Sequence, residues 1–241
     1  MANNELIKTA LVTGGSKGIG YGVAESLIRH GVRVAITSRS PEAADEAAAS
    51  LNKIRDGYAI GLAADVRDMA SQQRVTDRIL ADWGRLDYVI ANAGVGHFAP
   101  IQELTPAQWQ DTIDINLTGV FYTAKTTLPA LKATEGYFIT IASLAGTNFF
   151  EKGAAYNASK FGLVGFSQAI MLDLRSEGIK VTTIMPGSVA TEFADHQPTE
   201  KDAWKIQPED IGQLVVDLIR MNPRTLPSKI EVRPTIPGGK R

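Results

Sequence analysis

Short β-branched or apolar runs alternate with longer helical stretches along the whole chain, and nothing else in it limits the fold so strongly. The runs at 7–12, 33–37, 58–63, 88–91, 138–141, 181–185 and 229–232 read as strands. Between them, 20–29, 41–54, 69–83, 106–131, 155–177 and 208–221 read as helices. Most strand runs are almost continuously apolar, as expected of parallel strands covered on both faces. Border signals agree. Ser40-Pro41 and Thr105-Pro106 set an N-cap before a proline at the first helical position, and Gly31 and Gly178 stand where C-terminal caps fall. A βαβα rhythm without a linker tract, repeat or low-complexity block predicts one α/β domain over 1–241. Its expected form is doubly wound, with a central, mostly parallel seven-stranded sheet flanked by helices.

Composition then removes whole classes of function. The 25 Lys and Arg nearly balance the 26 Asp and Glu, for a net charge of -1, so the basic footprint of a nucleic-acid binder is missing. Cysteine is absent, which excludes disulfides, a thiolate nucleophile and Cys-held metal clusters. Only His30, His97 and His196 offer imidazole, at no metal-ligand spacing, so no metal site is expected. No apolar stretch reaches the roughly 18 residues of a membrane span, and residues 1–5 lack a signal pattern. The expectation is a cytoplasmic protein that binds neither nucleic acid nor membrane.

The first strand runs into Thr13-Gly14-Gly15-Ser16-Lys17-Gly18-Ile19-Gly20 at the head of the first helix. Gly14, Gly18 and Gly20 let the backbone turn sharply and approach a ligand closely. A helix N-terminus there offers free amides and a partial positive charge to a pyrophosphate. The second strand discriminates further. An acidic residue at its end would accept from a ribose diol and repel a 2′-phosphate. Here it ends Thr37-Ser38-Arg39, and the Arg39 guanidinium can pair a phosphate in bidentate fashion, with Lys17 adding charge. NADP(H) is the expected cofactor.

Farther along the chain, Ser143 follows the fifth strand, and Tyr156 precedes Lys160 at i+4 on one helix face. A nearby ammonium favours a phenolate, so the Tyr156 pKa is expected to fall toward a value useful for proton transfer.

Taken in order, Thr13-Gly14-x-x-x-Gly18-x-Gly20, Asp65-Val66, Asn92-Ala93-Gly94, Asn116, Ser143, Tyr156-x-x-x-Lys160 and Pro186-Gly187-x-x-x-Thr191 resemble the classical short-chain dehydrogenase/reductase family over essentially the full length. The resemblance implies a Rossmann fold with a cofactor half at about 1–135 and a catalytic and substrate half at about 136–241. It implies that Tyr156 is the general acid or base, that Ser143 orients the carbonyl oxygen, and that Lys160 holds the nicotinamide ribose and lowers the Tyr156 pKa. Asn116 would keep a proton-relay water. Asp65 and Val66 would meet the adenine, and Asn92, Ala93 and Gly94 would pass the adenosine ribose. Gly14, Ser16, Lys17, Gly18, Ile19 and Gly20 would line the phosphates, with Ser38 and Arg39 beside them. Pro186, Gly187, Val189 and Thr191 would reach the nicotinamide.

By the same resemblance, substrate residues come from the stretches after Gly94, Ser143 and Gly187, which hold Val95, Gly96, His97, Leu144, Phe149, Phe150, Glu151, Phe193, His196 and Trp204. Their aromatics predict an apolar pocket, and the short 191–207 segment predicts a small lid over an open site. Relatives that reduce 3-oxoacyl-(acyl-carrier-protein) carry basic residues near the site entrance. Pro129 and Glu177 stand at the matching positions, with Arg175 near. Reduction of a small free ketone or aldehyde is therefore expected, with the carrier-bound substrate second. A non-catalytic NADP(H) sensor is remote, since Tyr156 and Lys160 both persist. Relatives also imply a homodimer or homotetramer through 106–131 and 155–177. The closing Gly-Gly of many members falls late here, at Gly238-Gly239, behind a strand-like run within 226–234.

Overall fold

A computed structural model describes residues 6–236; residues 1–5 and Gly238-Gly239 lie outside the described residues. Seven strands form one sheet: β1 (Thr9–Val12), β2 (Arg33–Ser38), β3 (Ala59–Ala63), β4 (Tyr88–Ala91), β5 (Tyr137–Ile141), β6 (Lys180–Pro186) and β7 (Lys229–Val232). Every pairing is parallel, in the order β3-β2-β1-β4-β5-β6-β7. Among the described residues, seven α-helices cover it: α1 (Gly18–Arg29), α2 (Pro41–Asn52), α3 (Met69–Trp83), α4 (Pro106–Ile113), α5 (Gly119–Thr134), α6 (Ala154–Leu174) and α7 (Pro208–Arg220). No helix among the described residues is long and apolar enough to cross a membrane.

Strand alternation builds two cores. Ala10, Val12, Val34, Ile36, Ile139 and Ile184 pack against α1, α2 and α7 through Val23, Leu27, Leu51 and Val215. Their neighbours Leu11, Ala35, Val89, Phe138 and Val181 turn to the other face and meet Ile79 of α3, Val120 of α5 and Leu163 of α6. Burial on both faces is why these strands read as unbroken apolar runs. The expected caps form: Ser40 accepts from Ala43 N at 3.1 Å, and Thr105 and Gln108 make a reciprocal capping box.

Two expectations need correction. The first strand starts at Thr9 rather than 7, with Ile7 partly exposed, because its register begins at Thr9 against Arg33. The stretch 106–131 is not one regular helix. A π turn at Asp114–Thr118 separates α4 from α5, and the latter runs on to Thr134 through an internal Pro129. The extra residue in that turn aims Ile115 at the cleft described below and buries Asn116.

Asp87 fastens the strand entries at the end of the sheet away from the cleft. Its carboxylate is 2% exposed and accepts from Arg85 Nη2 at 2.6 Å, Lys8 Nζ at 2.9 Å and Thr9 N at 3.0 Å. Burial pushes its pKa up, but the hydrogen bonds from Arg85, Thr9 and Lys8 outweigh burial and hold it below the ordinary carboxylate value. A depressed folded-state pKa means the stabilisation is complete above the unfolded pKa of about 4 and is lost as pH falls through the folded value. Asp87→Asn is expected to cost about 2–3 kcal/mol in urea unfolding at pH 7, with the gap to the native chain narrowing below about pH 4.

Candidate active site

The strand order reverses between β1 and β4, and a crevice opens there at the carboxyl ends of the strands. A cleft of about 470 Å³ occupies it. One end is built by the turn between β1 and α1, where Gly14 and Gly18 adopt φ of 62° and 55°, a region costly for any residue with a Cβ. A Cβ on Gly18 would press the Thr191 side chain at 3.3 Å. Lys17 is the N-cap of α1 and gives it no side-chain bond, whereas Ser40, Asp68 and Thr105 each cap their own helices. The first amides of α1 thus have no side-chain acceptor, a ready anion site.

Gly14, Ser16, Lys17, Gly18, Ile19, Ser38, Arg39, Asp65, Val66, Asn92, Ala93, Gly94, Ser143, Tyr156, Lys160, Pro186, Gly187, Val189 and Thr191 all line this cleft. Among the described residues neither Lys17 nor Arg39 has a carboxylate within ion-pair distance. Gly20 and Asn116 stand behind the lining. A Cβ on Gly20 would collide with the Gly14 carbonyl and the Asn92 amide, so that glycine serves turn-to-helix packing. Asn116 donates through Nδ2 to Val95 O at 2.9 Å and Ser159 Oγ at 3.0 Å, while its Oδ1 accepts from Val95 N at 2.8 Å. Both amide hydrogens are spent on protein, so the side chain clamps the loop after β4 to α6.

Asp65, in the lining, is held by a neighbour. The Arg67 guanidinium grips both its oxygens, with Nη2 at 2.6 Å from Oδ2 and Nε at 3.0 Å from Oδ1, and bridges to Asp111 at 3.0 Å. The Arg67 hydrogen bond, chiefly, holds the Asp65 pKa below its ordinary value. Asp111 also pairs His97 Nε2 at 3.0 Å, which turns that histidine toward α4 and out of the cleft lining. Arg67 gave no signal in the sequence beyond its place two residues after Asp65.

At the reacting end, Lys160 is buried and donates to Ile141 O at 3.0 Å. Burial lowers its pKa to about 8. Its Nζ sits 5.7 Å from the Tyr156 ring centroid. Tyr156 does not follow the expected direction. Burial pushes the phenol pKa up, and the Ser143 hydroxyl offsets only part of the rise. Burial is the larger of the two influences. The proton therefore stays on Tyr156 at neutral pH. Ser143 Oγ accepts from Ala145 N at 3.1 Å, which leaves its hydroxyl hydrogen free to donate.

Aromatic rings surround Tyr156. Phe98 lies at 5.4 Å, Phe193 at 5.6 Å and Phe150 at 6.5 Å between ring centroids. Phe150 and Phe193 were expected; Phe98 was missed, although it falls in the stretch after Gly94 that the family resemblance marks. Phe149 is 85% exposed and joins no ring contact. The lid expectation is sharpened. Segment 191–207 is fastened by a bridge between Val189 and Ile206, and Asp202 accepts from Lys205 Nζ at 2.6 Å, His196 Nε2 at 2.9 Å and Thr199 N at 2.9 Å. His196 and Lys205 line the cleft and Trp204 does not. Pro129 and Glu177 lie at the opposite end of the sheet: Pro129 sits beside Arg85 ahead of β4, and Glu177 pairs Lys132 ahead of β6. Their chemistry therefore says nothing about entry to the cleft of the same chain, contrary to expectation.

The model of the family described as short chain dehydrogenase matches residues 8–202. The chain belongs to that family of oxidoreductases. It is 38% identical to D-threitol dehydrogenase of Mycolicibacterium smegmatis over 77% of this chain and 72% of that protein. It is 35% identical to 3-oxoacyl-(acyl-carrier-protein) reductase FabG of Escherichia coli over 77% of this chain and 75% of that protein. A metagenomic short-chain oxidoreductase solved in complex with NADP superposes with a TM-score of 0.84 at 33% identity, covering 96% of this chain and 99% of that one.

The buried ammonium can be checked directly. In protein labelled with ¹³C at lysine, one Cε resonance is expected to titrate near pH 8 while surface lysines titrate above about 10, and Lys160→Met should remove it.

Proposed function

We propose that this chain is an NADP(H)-dependent oxidoreductase that reduces a ketone or aldehyde, or oxidises the matching alcohol. The observation that carries the reading is the convergence of Ser143, Tyr156 and Lys160 at one end of a cleft whose other end offers Lys17, Arg39 and the open N-terminus of α1. The residues present fit the cofactor. The amides of α1 suit a pyrophosphate, and Arg39 with Ser38 suits a 2′-phosphate, with no acid at the end of β2 to repel it. Val66 and the Asn92-Ala93-Gly94 backbone, which line the cleft, would flank the adenosine, and Pro186, Gly187, Val189 and Thr191 would flank the nicotinamide. Bound NADPH supplies the hydride that adds to the carbonyl carbon.

The chain's own groups do the rest. Tyr156, neutral at physiological pH, gives its phenolic proton to the carbonyl oxygen as negative charge develops there. Ser143 donates its free hydroxyl hydrogen to the same oxygen and fixes its direction. Lys160 would hold the ribose hydroxyls while Ile141 O steadies its ammonium. Asn116 acts as a positioning residue through Val95 and Ser159. A cytoplasmic homodimer or homotetramer fits the exposed apolar side chains of Trp109, Phe121, Phe161 and Leu172 on α4, α5 and α6. A second reading, reduction of a 3-oxoacyl group on a carrier protein, is favoured by the likeness to FabG. An acyl thioester in the substrate panel separates the two.

Tyr156→Phe is expected to cut turnover about 1,000-fold while NADPH still binds. Near-native rates on every reduced carbonyl would remove the assignment of the acid. Arg39→Asp is expected to shift the NADPH-to-NADH ratio of kcat/KM by roughly 100-fold toward NADH. Equal efficiency with both cofactors in the native protein would overturn the 2′-phosphate reading.

A further inference from the structure

Three phenylalanines stand around Tyr156 with more carbon in water than burial economy favours. Phe98 is 42% exposed, Phe150 48% and Phe193 37%. They come from three separate segments: the loop after β4, the loop before α6 and the turn after β6. Phe98 contacts all the others, at 5.8 Å from Phe150 and 6.3 Å from Phe193, in tilted or edge-on geometry. Such contacts leave ring faces free for a further planar group.

The arrangement is built. A Cβ on Gly96 would lie 2.7 Å from the Phe193 ring and 2.8 Å from the Phe98 ring, so only glycine seats both. A Cβ on Gly153 would lie 2.8 Å from the Phe150 ring. The loops carrying Phe98 and Phe150 are tied by Ala99 N donating to Lys152 O at 3.1 Å. Asn157 pins the latter loop through Asn148 O at 2.8 Å and Ala145 O at 2.7 Å. Phenyl rings accept no ordinary hydrogen bonds, so a polyhydroxylated substrate would leave its hydroxyls unpaired against them.

We propose that Phe98, Phe150 and Phe193 form a cage that selects carbonyl substrates bearing an aromatic or bulky apolar group within two or three bonds of the reacting carbon. This rests on the assignment of Tyr156 as the acid at that position. The cage determines specificity by covering its exposed carbon with the substituent while the carbonyl oxygen meets Tyr156 and Ser143.

The test compares 4-phenylbutan-2-one with butan-2-one, which share the same methyl ketone. The native enzyme should favour the phenyl compound by roughly 30-fold in kcat/KM, mostly through KM, the fold-change expected from partial burial of one phenyl group. Phe98→Ala and Phe193→Ala should each cut that ratio about fivefold or more. A ratio near one, or a ratio untouched in both variants, overturns the cage. Binding is read separately by saturation-transfer NMR with acetanilide and acetamide, whose amide carbonyls are not reduced. Acetanilide should bind the native protein more tightly than acetamide, and Phe98→Ala should narrow the difference about fivefold. Failure of that binding overturns the cage even if butan-2-one is reduced. Preferential acetanilide binding with no ketone turned over supports the cage and instead refutes the catalytic reading. A stronger preference for (2-oxopropyl)trimethylammonium than for its neutral isostere 4,4-dimethylpentan-2-one would also overturn it, in favour of a cation held by the rings.

Discussion

Where the strand order reverses, Asn92 and Thr13 lock the ends of β4 and β1 together. The Thr13 hydroxyl oxygen accepts from Asn92 N at 3.0 Å and Ala93 N at 3.1 Å. In return the Asn92 amide donates to Thr13 O at 2.9 Å and Gly14 O at 3.0 Å. These bonds replace the ladder just where the two strands must part, so the crevice opens without orphaned backbone groups. They also set the Gly14 turn against Ala93, with no room for a Cβ between them. The glycine-turn end of the cleft and its continuation toward Ser143 and Tyr156 both hang on this knot.

The reacting groups are positioned by a second set of polar ties, each anchored in regular structure. Lys160 leans on Ile141 O at the end of β5, and Asn116 joins the loop after β4 to Ser159 on α6. Burial then acts on both titrating groups in opposite directions of charge: it favours the neutral phenol at Tyr156 and the neutral amine at Lys160. A neutral phenol is an acid ready to give its proton. A lysine with a pKa about 8 remains largely charged at neutral pH and is poised for a partner that stabilises the ammonium further.

Much of this was legible in the chain. Parallel strands buried on both faces must be apolar throughout, so the runs at 33–37 and 88–91 announced themselves, and glycines at a strand-to-helix junction marked the phosphate turn. The spacing of Tyr156 and Lys160 put them on one helix face, and the cleft holds both. Other features left no periodic trace. The π turn around Asn116 depends on how α4 and α5 pack, and a single inserted residue is invisible to a period of 3.6. The Asp65–Arg67–Asp111 bridge joins residues 44 positions apart, a pairing only the folded chain can reveal.

The order of strands and helices, the glycine turn before α1, the missing acid after β2 and the placement of Tyr156 and Lys160 on one helix face were determined by the sequence itself, because each depends on local pattern or on residue chemistry. Tertiary structure decided the rest. It raised the Tyr156 pKa where proximity to Lys160 alone argued for a fall, since burial of the phenol outweighs their spacing on the helix. It moved Pro129 and Glu177 to the far end of the sheet, and it gathered Phe98, Phe150 and Phe193 around one tyrosine. Distances between loops are set by the packing of the whole sheet, which no short stretch of residues encodes.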